Sequence, residues 1–240
     1  KMSFDKEYFS SARYAEVSFK KYSQYWWSNR FYARLAKKHG PPSGRVLEVG
    51  CGLGHLLTWL TDDYEVFGGD INEYAIEEAK KNVPEGIFNL LDAEDLLIFP
   101  DKHFNILIAK HVVEHLKNPS IAIAEMSRVL APGGLLIMAC PNMDSPMRER
   151  KKENWVGYQD PTHISLLAPA EWLDILHKNN LNEIKVFSDG FWDPPYVSRV
   201  PKIIQRIYYG LPGGLQAIFG GSFIPLHRGE SLIVLAERDN

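Results

Sequence analysis

The distribution of hydrophobic and polar residues changes character near residue 45. Beyond that point, short apolar runs alternate with amphipathic segments, which is typical of a parallel sheet covered by helices on both faces. The predicted strands cover 46–49, 65–68, 87–90, 104–109, 135–139, 182–188 and 231–236, and the predicted helices cover 55–60, 73–81, 121–130 and 169–178. The pattern therefore predicts an α/β domain in which strands and helices alternate along the chain.

Two segments fall outside this alternation. Residues 1–44 are aromatic and basic, with aromatic side chains at mostly helical spacing, and they predict a helical extension of one or two helices. Residues 189–230 form an unusually long connection between the last two strands, and such connections are more often functional than idle. We therefore expect a helical extension at 1–44 and a main domain at 45–240 that carries a variable insertion at 189–230.

Composition and charge narrow the classes of protein. Hydrophobic residues make up 45% and charged residues 24% of the 240 residues, which excludes a wholly disordered or fibrous chain. The formal net charge of −3 provides no global positive field, so nucleic acid is not an expected partner. The two cysteines, Cys51 and Cys140, are too few for a disulfide framework, and the first residues form no apolar signal core. These features together predict a cytoplasmic protein.

One uncharged stretch, at 207–226, is long enough to cross a bilayer, but glycines and prolines interrupt it, so we expect no spanning helix. Just before it, Arg199, Lys202 and Arg206 interleave with apolar residues at helical spacing. We expect a helix that packs its apolar face on the domain. Contact with a membrane surface through 199–226 is the alternative.

A glycine-rich turn follows the first predicted strand. Glycines alternate with other residues from Gly50 to Gly54, which permits a tight turn, lets a ligand approach the backbone and leaves N–H groups for an anion. Asp70 ends the next strand about 20 residues later, where an acid typically binds ribose hydroxyls. A pyrophosphate-binding G-x-G-x-x-G loop would need glycine where this chain has His55. The loop and the acid indicate an adenosine-containing cofactor other than a dinucleotide.

Further motifs follow in a fixed order. They are Asp-Ala-Glu-Asp-Leu at 92–96, Lys-His at 110–111, Val-Val-Glu-His-Leu at 112–116 and Arg-Val-Leu-Ala-Pro-Gly-Gly at 128–134. With the glycine loop and Asp70, this set resembles the class I S-adenosylmethionine-dependent methyltransferases, closely over 45–142 and loosely to 181. Leu91 and Asn105 depart from the family's usual glycine and aspartate. The resemblance implies a doubly wound, Rossmann-like sheet of seven mostly parallel strands with an antiparallel last strand and helices on both faces.

The resemblance also implies where S-adenosylmethionine binds. The glycine loop would hold the methionine part, an acid the ribose, and an acid with the next amide the adenine. An apolar side chain would pack on the adenine face, and two residues after the fourth strand would line the sulfonium. The cofactor-binding residues implied in this way are Glu48, Gly50, Cys51, Gly52, Gly54, Asp70, Ile71, Asp92, Ala93, Lys110 and His111.

The expected activity is methyl transfer to an oxygen or nitrogen of a small-molecule acceptor, such as a sugar, a lipid precursor or another metabolite. Positioning supplies much of the rate of such a displacement, but a hydroxyl acceptor usually needs a general base. His163 is our first candidate, because Asp-Pro-Thr-His-Ile at 160–164 resembles a stretch found in many small-molecule methyltransferases, and His111 is the second. The alternative for His163 is to buttress the helix that starts near Pro169.

Other interpretations remain open. Residues 111–115 fit the H-x-x-E-H pattern of some zinc peptidases, but the pattern begins where a cofactor-lining turn is expected, so we expect no metal there. Asp-Pro-Pro-Tyr at 193–196 resembles a motif that grips flipped bases, but it lies at the wrong place in the chain and we expect a proline-rich turn. A non-catalytic S-adenosylmethionine-binding protein and an NAD-dependent oxidoreductase are the alternative functions, the latter disfavoured by His55.

Overall fold

A computed structural model describes residues 20–239. The strands are β1 (Gly44–Val49), β2 (Tyr64–Asp70), β3 (Ile87–Leu90), β4 (Phe104–Lys110), β5 (Leu130–Pro141), β6 (Leu181–Phe187) and β7 (Ser231–Arg238). The α-helices are α1 (Gln24–His39), α2 (Glu73–Asn82), α3 (Pro119–Val129), α4 (Pro146–Lys151), α5 (Pro169–Lys178) and α6 (Lys202–Phe219). Short 3₁₀ turns lie at 57–59, 113–115, 152–154, 156–158 and 226–228.

The seven strands form one sheet in the order β3-β2-β1-β4-β5-β7-β6. Neighbouring strands from β3 to β5 pair in parallel, whereas β7 runs antiparallel to both β5 and β6. The strands β2 and β3 are added on one side of β1, and β4 and the later strands on its other side, so the strand order reverses between β1 and β4. Ligands bind at such a switch point, beyond the carboxyl ends of the strands. The predicted doubly wound sheet with an antiparallel last strand is confirmed.

Both faces of the sheet are buried, because side chains along each central strand alternate between two hydrophobic clusters. In β4, Ile106 and Ile108 pack with residues of α1 and α2, whereas Leu107 and Ala109 pack with residues of α3 and α5. All four side chains have no exposed surface. This two-sided burial explains the continuous apolar runs that predicted the strands.

The leading helix α1 lies within the predicted N-terminal extension. Its first turn is capped by Ser23, whose hydroxyl accepts a hydrogen bond of 3.2 Å from the Trp26 amide. Phe31 and Leu35 are buried against the sheet. The part of the predicted extension at 1–19 lies outside the described residues.

Two local predictions are wrong. The helix expected at 55–60 is only a 3₁₀ turn at 57–59, where the Thr58 hydroxyl donates to the His55 carbonyl at 2.8 Å and competes with helical pairing. The apolar face of α6 does not pack on the domain. This helix buries Gln205 and Gln216, because their amides satisfy the backbone of the adjoining loops, and it leaves most of its large apolar residues exposed.

Within residues 20–239, no helix combines the length and the apolar character needed to cross a membrane.

Candidate functional site

The glycine loop follows β1 and is bent back by three residues with positive φ, at 69° for Gly50, 50° for Gly52 and 77° for Gly54. A Cβ on Gly50 would lie 2.2 Å from Val112 Cγ2, so only glycine fits there. A Cβ on Gly52 would have no atom within 4 Å. The backbone at Gly52 is therefore open to a ligand, and an added Cβ would fill the space in front of it.

Asp70 stands at the carboxyl end of β2 and organises the same loop. Its carboxylate accepts hydrogen bonds of 2.9 Å from the amides of Gly52 and Asn72. Burial raises the pKa of Asp70, although these hydrogen bonds act in the opposite direction. The neighbouring Ile71 is 57% exposed, although its side chain is large and apolar. This edge of the sheet thus offers a carboxylate and an uncovered apolar surface side by side.

The remaining residues expected at the adenosine end follow β3. Asp92 is exposed and its carboxylate accepts a hydrogen bond of 2.9 Å from the Glu94 amide, whereas Ala93 is buried. Since β3 neighbours β2, both residues lie at the edge of the sheet where Asp70 ends β2. The structure therefore brings the implied ribose and adenine residues to one edge.

Glu48 and Lys110 act electrostatically on each other where β1 and β4 lie side by side. Burial raises the pKa of Glu48 against the attraction of Lys110, and burial lowers the pKa of Lys110 against the attraction of Glu48 and Asp189. Glu48 is 4% exposed, and its Oε2 has no hydrogen-bond partner within residues 20–239. A buried acid with an unpaired oxygen suits a cationic ligand. The site thus fits S-adenosylmethionine, which carries an ammonium and a sulfonium.

Helix α1 covers this pair. Lys110 Nζ donates to Asn29 Oδ1 at 2.8 Å, and it lies 5.8 Å and 5.1 Å from the ring centroids of Tyr25 and Tyr32. The Tyr32 hydroxyl is buried, and no residue in the described part of the chain forms a hydrogen bond with it. Burial, followed by the nearby charge of Asp189, raises its pKa well above the usual value. The Tyr32 phenol is therefore neutral, and it lies next to the Lys110 ammonium at the end of β4.

His111 follows β4 with a φ of 54° and makes a contact of 3.1 Å between its Nδ1 and Glu114 Oε1. Burial alone would raise the pKa of Glu114, but the hydrogen bond and charge of His111 bring it below the usual value. A buried carboxylate thus orients the imidazole. Asp189 follows β6 and is half-buried nearby, where its carboxylate accepts a hydrogen bond of 2.7 Å from the Ser231 hydroxyl.

His163, the other candidate base, lies in the turn before α5. Its Nδ1 is 2.7 Å from the Gly157 carbonyl, and its ring centroid is 4.7 Å from that of His115. The backbone amides of the next two residues, Ile164 and Ser165, donate to the Glu114 carbonyl at 3.0 Å and 2.9 Å. The structure therefore brings His111 and His163 to the same turn, one through the side chain of Glu114 and the other through its backbone.

Several residues of the site were not predicted from the sequence as functional residues. Tyr25, Asn29 and Tyr32 share one face of α1 at helical spacing, and this spacing is a signal that the sequence contains. Glu114 lies within a motif that is typical of the family, but the motif does not indicate which residue Glu114 contacts. Asp189 has no sequence signal, because its place beside His111 arises only when β6 joins the far edge of the sheet.

The switch point of the sheet, the open glycine loop and the buried acids define a Rossmann-like protein that binds S-adenosylmethionine. Comparison with known families identifies it further. The family model of a methyltransferase domain matches residues 19–186, and the chain therefore belongs to this methyltransferase family. It is an enzyme that uses S-adenosylmethionine as methyl donor.

The chain is also similar to individual proteins and to solved structures. An uncharacterized protein from Methanocaldococcus jannaschii is 30% identical over 76% of this chain and 84% of its own length. The ubiquinone biosynthesis O-methyltransferase of Mesorhizobium japonicum is 32% identical over 41% of this chain, and the match spans only 41% of that enzyme. The crystal structure of the YcgJ protein from Bacillus subtilis shares the fold, with a TM-score of 0.62, 18% identity, and coverage of 89% of this chain and 99% of that chain.

Proposed function

We propose that the chain methylates a hydroxyl oxygen of a small-molecule acceptor, with His111 as the general base. The observation that carries the proposal is the contact of 3.1 Å between His111 Nδ1 and the buried Glu114 carboxylate. A hydroxyl must lose its proton to become a good nucleophile, and a histidine oriented by a carboxylate removes such protons near neutral pH. The name of the Mesorhizobium relative, an O-methyltransferase, agrees with an oxygen acceptor.

The residues of the site divide the work. S-adenosylmethionine supplies an electrophilic methyl group when it is bound. The loop at 48–54 would hold its methionine part, and Asp70 its ribose. Ile71, Asp92 and Ala93 would bind its adenine. His111 takes up the acceptor proton at Nε2, while α1 excludes water and its Asn29 fixes Lys110.

The test is the exchange of His111→Gln, with His177→Gln as a matched control on the surface. The first change should lower kcat by about 10²–10⁴-fold, a much larger factor than any change in the Kd for S-adenosylhomocysteine, although His111 is also expected to line the cofactor. The assay follows transfer of a tritiated methyl group to a panel of phenols, catechols, sugars and hydroxylated lipids. Wild-type turnover in the His111 variant would overturn the assignment of the base, and turnover only with amines would overturn the oxygen acceptor.

We further propose that α6 contacts an anionic membrane surface and that the acceptor is an amphipathic lipid precursor. Support comes from a continuous apolar surface on α6 and just beyond it, next to the exposed cations Arg199, Lys202 and Arg206. A helix with an apolar face and basic residues lies in a lipid interface rather than across it. The exposed apolar side chains are Ile203, Ile204, Ile207, Tyr208, Leu211, Leu215, Ile218, Phe219 and Phe223.

A groove of about 1050 Å³ is lined in part by Ile207 and Leu211 of this surface. Its lining also includes Gly190 and Phe191, which directly follow Asp189. Since Asp189 acts electrostatically on both Lys110 and His111, the connection that shapes the groove also reaches the site. An acceptor with an apolar chain would use both surfaces.

Sedimentation with vesicles tests the membrane contact. Vesicles that contain phosphatidylglycerol should bind the protein, and purely zwitterionic vesicles should bind it several-fold less. The double exchange of Ile207→Glu and Leu211→Glu should abolish binding, whereas Leu97→Glu, at a residue that is 75% exposed elsewhere, should not. Absence of vesicle binding, or equal binding by the double variant, would contradict the proposal. Self-association that disappears in the double variant would assign the face to a second copy instead.

A further inference from the structure

A second chemical cluster lies next to the proposed base. Glu114 and His115 belong to the 3₁₀ turn after β4, and His163 belongs to the turn before α5. One ligand atom from each of these side chains lies within 4.8 Å of the other two. We propose that Glu114, His115 and His163 form a binding site for a divalent transition-metal ion, Zn²⁺ being the ion that two imidazoles and one carboxylate favour.

The hydrogen bonds of the two rings fix which ring nitrogen carries the proton. A carbonyl oxygen can only accept, so the contact of 2.7 Å with the Gly157 carbonyl places a proton on His163 Nδ1. The Thr162 hydroxyl donates to Asp160, so at 2.9 Å it accepts from His115 Nδ1. In each neutral ring the lone pair is therefore on Nε2. Metal-binding histidines typically donate their other N–H in this way, which fixes the tautomer and the ring orientation.

The Glu114 carboxylate is a second, independent indication of a cation site. Glu114 is 1% exposed, and while Oε1 is bound by His111, Oε2 is buried without any hydrogen-bond partner among the described residues. A buried carboxylate oxygen without a partner is costly, and binding of a cation removes that cost. His111 is a neighbour of the site and not a ligand in it. The site therefore differs from the H-x-x-E-H pattern, which would pair His111 with His115.

The backbone holds the ligands in place. The Glu114 carbonyl accepts two amide hydrogen bonds from the segment after His163, and the Ser165 hydroxyl donates to the Leu116 carbonyl at 2.6 Å. Two segments that are distant in sequence are thus tied together around the ligands, which preorganises them. His115 and His163 are only partly buried, so an ion there would keep a side open to water or an acceptor oxygen.

Such an ion would serve the proposed function as a Lewis acid. A hydroxyl oxygen bound to a divalent ion has a lowered pKa. Its O–H bond would break with the proton going to Nε2 of His111, and the electron pair would stay on the oxygen. Only this role rests on the proposed function, because metal binding itself is measured without acceptor or cofactor.

The experiment is calorimetric titration of chelator-treated full-length protein with Zn²⁺, and with Co²⁺ to observe its visible absorption bands. One equivalent of each ion should bind, with Co²⁺ bands that show nitrogen and oxygen ligands. Glu114→Gln and His163→Gln should each weaken binding at least about 100-fold, and Thr162→Val, which removes only the supporting hydrogen bonds of the Thr162 hydroxyl with His115 and Asp160, about 10-fold. His177→Gln removes the surface pair with Glu183 and should leave the affinity unchanged.

Circular dichroism checks the fold of each variant, and Thr162→Val keeps the test decisive where a ligand variant does not fold. Failure of the unaltered protein to bind either ion would overturn the inference. Equal affinity in Thr162→Val and His163→Gln would overturn it as well. Metal binding without methyl transfer to any hydroxyl would uphold the site and refute the proposed function, so the two failures are distinguishable.

Discussion

Two glycines of the same loop should respond differently to alanine, because their surroundings differ. Both have positive φ, which costs an L-residue about 1–2 kcal/mol. At Gly52 nothing lies within 4 Å of the added Cβ, so Gly52→Ala should lose only that amount of unfolding free energy. At Gly50 the added Cβ would lie 2.2 Å from Val112 Cγ2. Overpacking of this kind costs about 1–3 kcal/mol more, so Gly50→Ala should lose about 2–5 kcal/mol in total.

The exchange Gly52→Ala should affect cofactor affinity much more strongly than it affects stability. The Cβ of Gly52→Ala would lie in the open space before the loop, so this variant should stay folded. It should bind S-adenosylhomocysteine at least about 100-fold more weakly, which is a loss of about 2.7 kcal/mol of binding free energy. Urea denaturation measures the first effect and calorimetric titration the second. Unaltered cofactor affinity in Gly52→Ala would refute the role of the loop. Equal stability of the two variants would refute the close approach at Gly50.

Three further outcomes are expected. Asp70→Ala should weaken binding of S-adenosylhomocysteine, and a folded variant with unchanged affinity in calorimetry would count against the ribose site. Arg128→Met should cost about 1–3 kcal/mol at neutral pH, since the Arg128 hydrogen bond lowers the pKa of Glu125. That contribution is present above the unfolded pKa, near 4.5, and is lost as the pH falls through the lower folded value, so the variant should show a shallower acid dependence in urea denaturation. Trp155→Phe removes the donor 2.7 Å from buried Glu230 and should cost about 1–3 kcal/mol of unfolding free energy, and an unchanged denaturation midpoint would contradict this.

The fold was largely predictable because its determinants are local and repeated. Each central strand is an apolar run bounded by turn residues, and the glycine loop and Asp70 mark the ends of β1 and β2. The 3₁₀ turn at 57–59 was not predicted, because the pattern of apolar residues does not show that the Thr58 hydroxyl donates to the His55 carbonyl. The orientation of α6 escaped as well, since the buried side of that helix is decided by what two glutamines bind rather than by hydrophobicity.

The candidate site was predictable only where a contact belongs to a motif. Glu48, Asp70 and Lys110 all lie at strand ends, and the strands bring them to one edge of the sheet. The relation between His111 and Glu114 is one of side-chain geometry that the spacing alone does not reveal. The approach of His163 to the same turn depends on backbone hydrogen bonds from Ile164 and Ser165 to Glu114, at least 50 residues away in sequence, and no local pattern predicts such bonds.

The central claim is that the edge formed by the glycine loop and Asp70 binds S-adenosylmethionine. Calorimetric titration of the protein with S-adenosylhomocysteine, with NAD as a control, tests it most directly. We predict binding of S-adenosylhomocysteine at one site, in the micromolar range that is usual for such ligands, and no binding of NAD. Binding of NAD alone would contradict the account and would direct the search to hydride transfer.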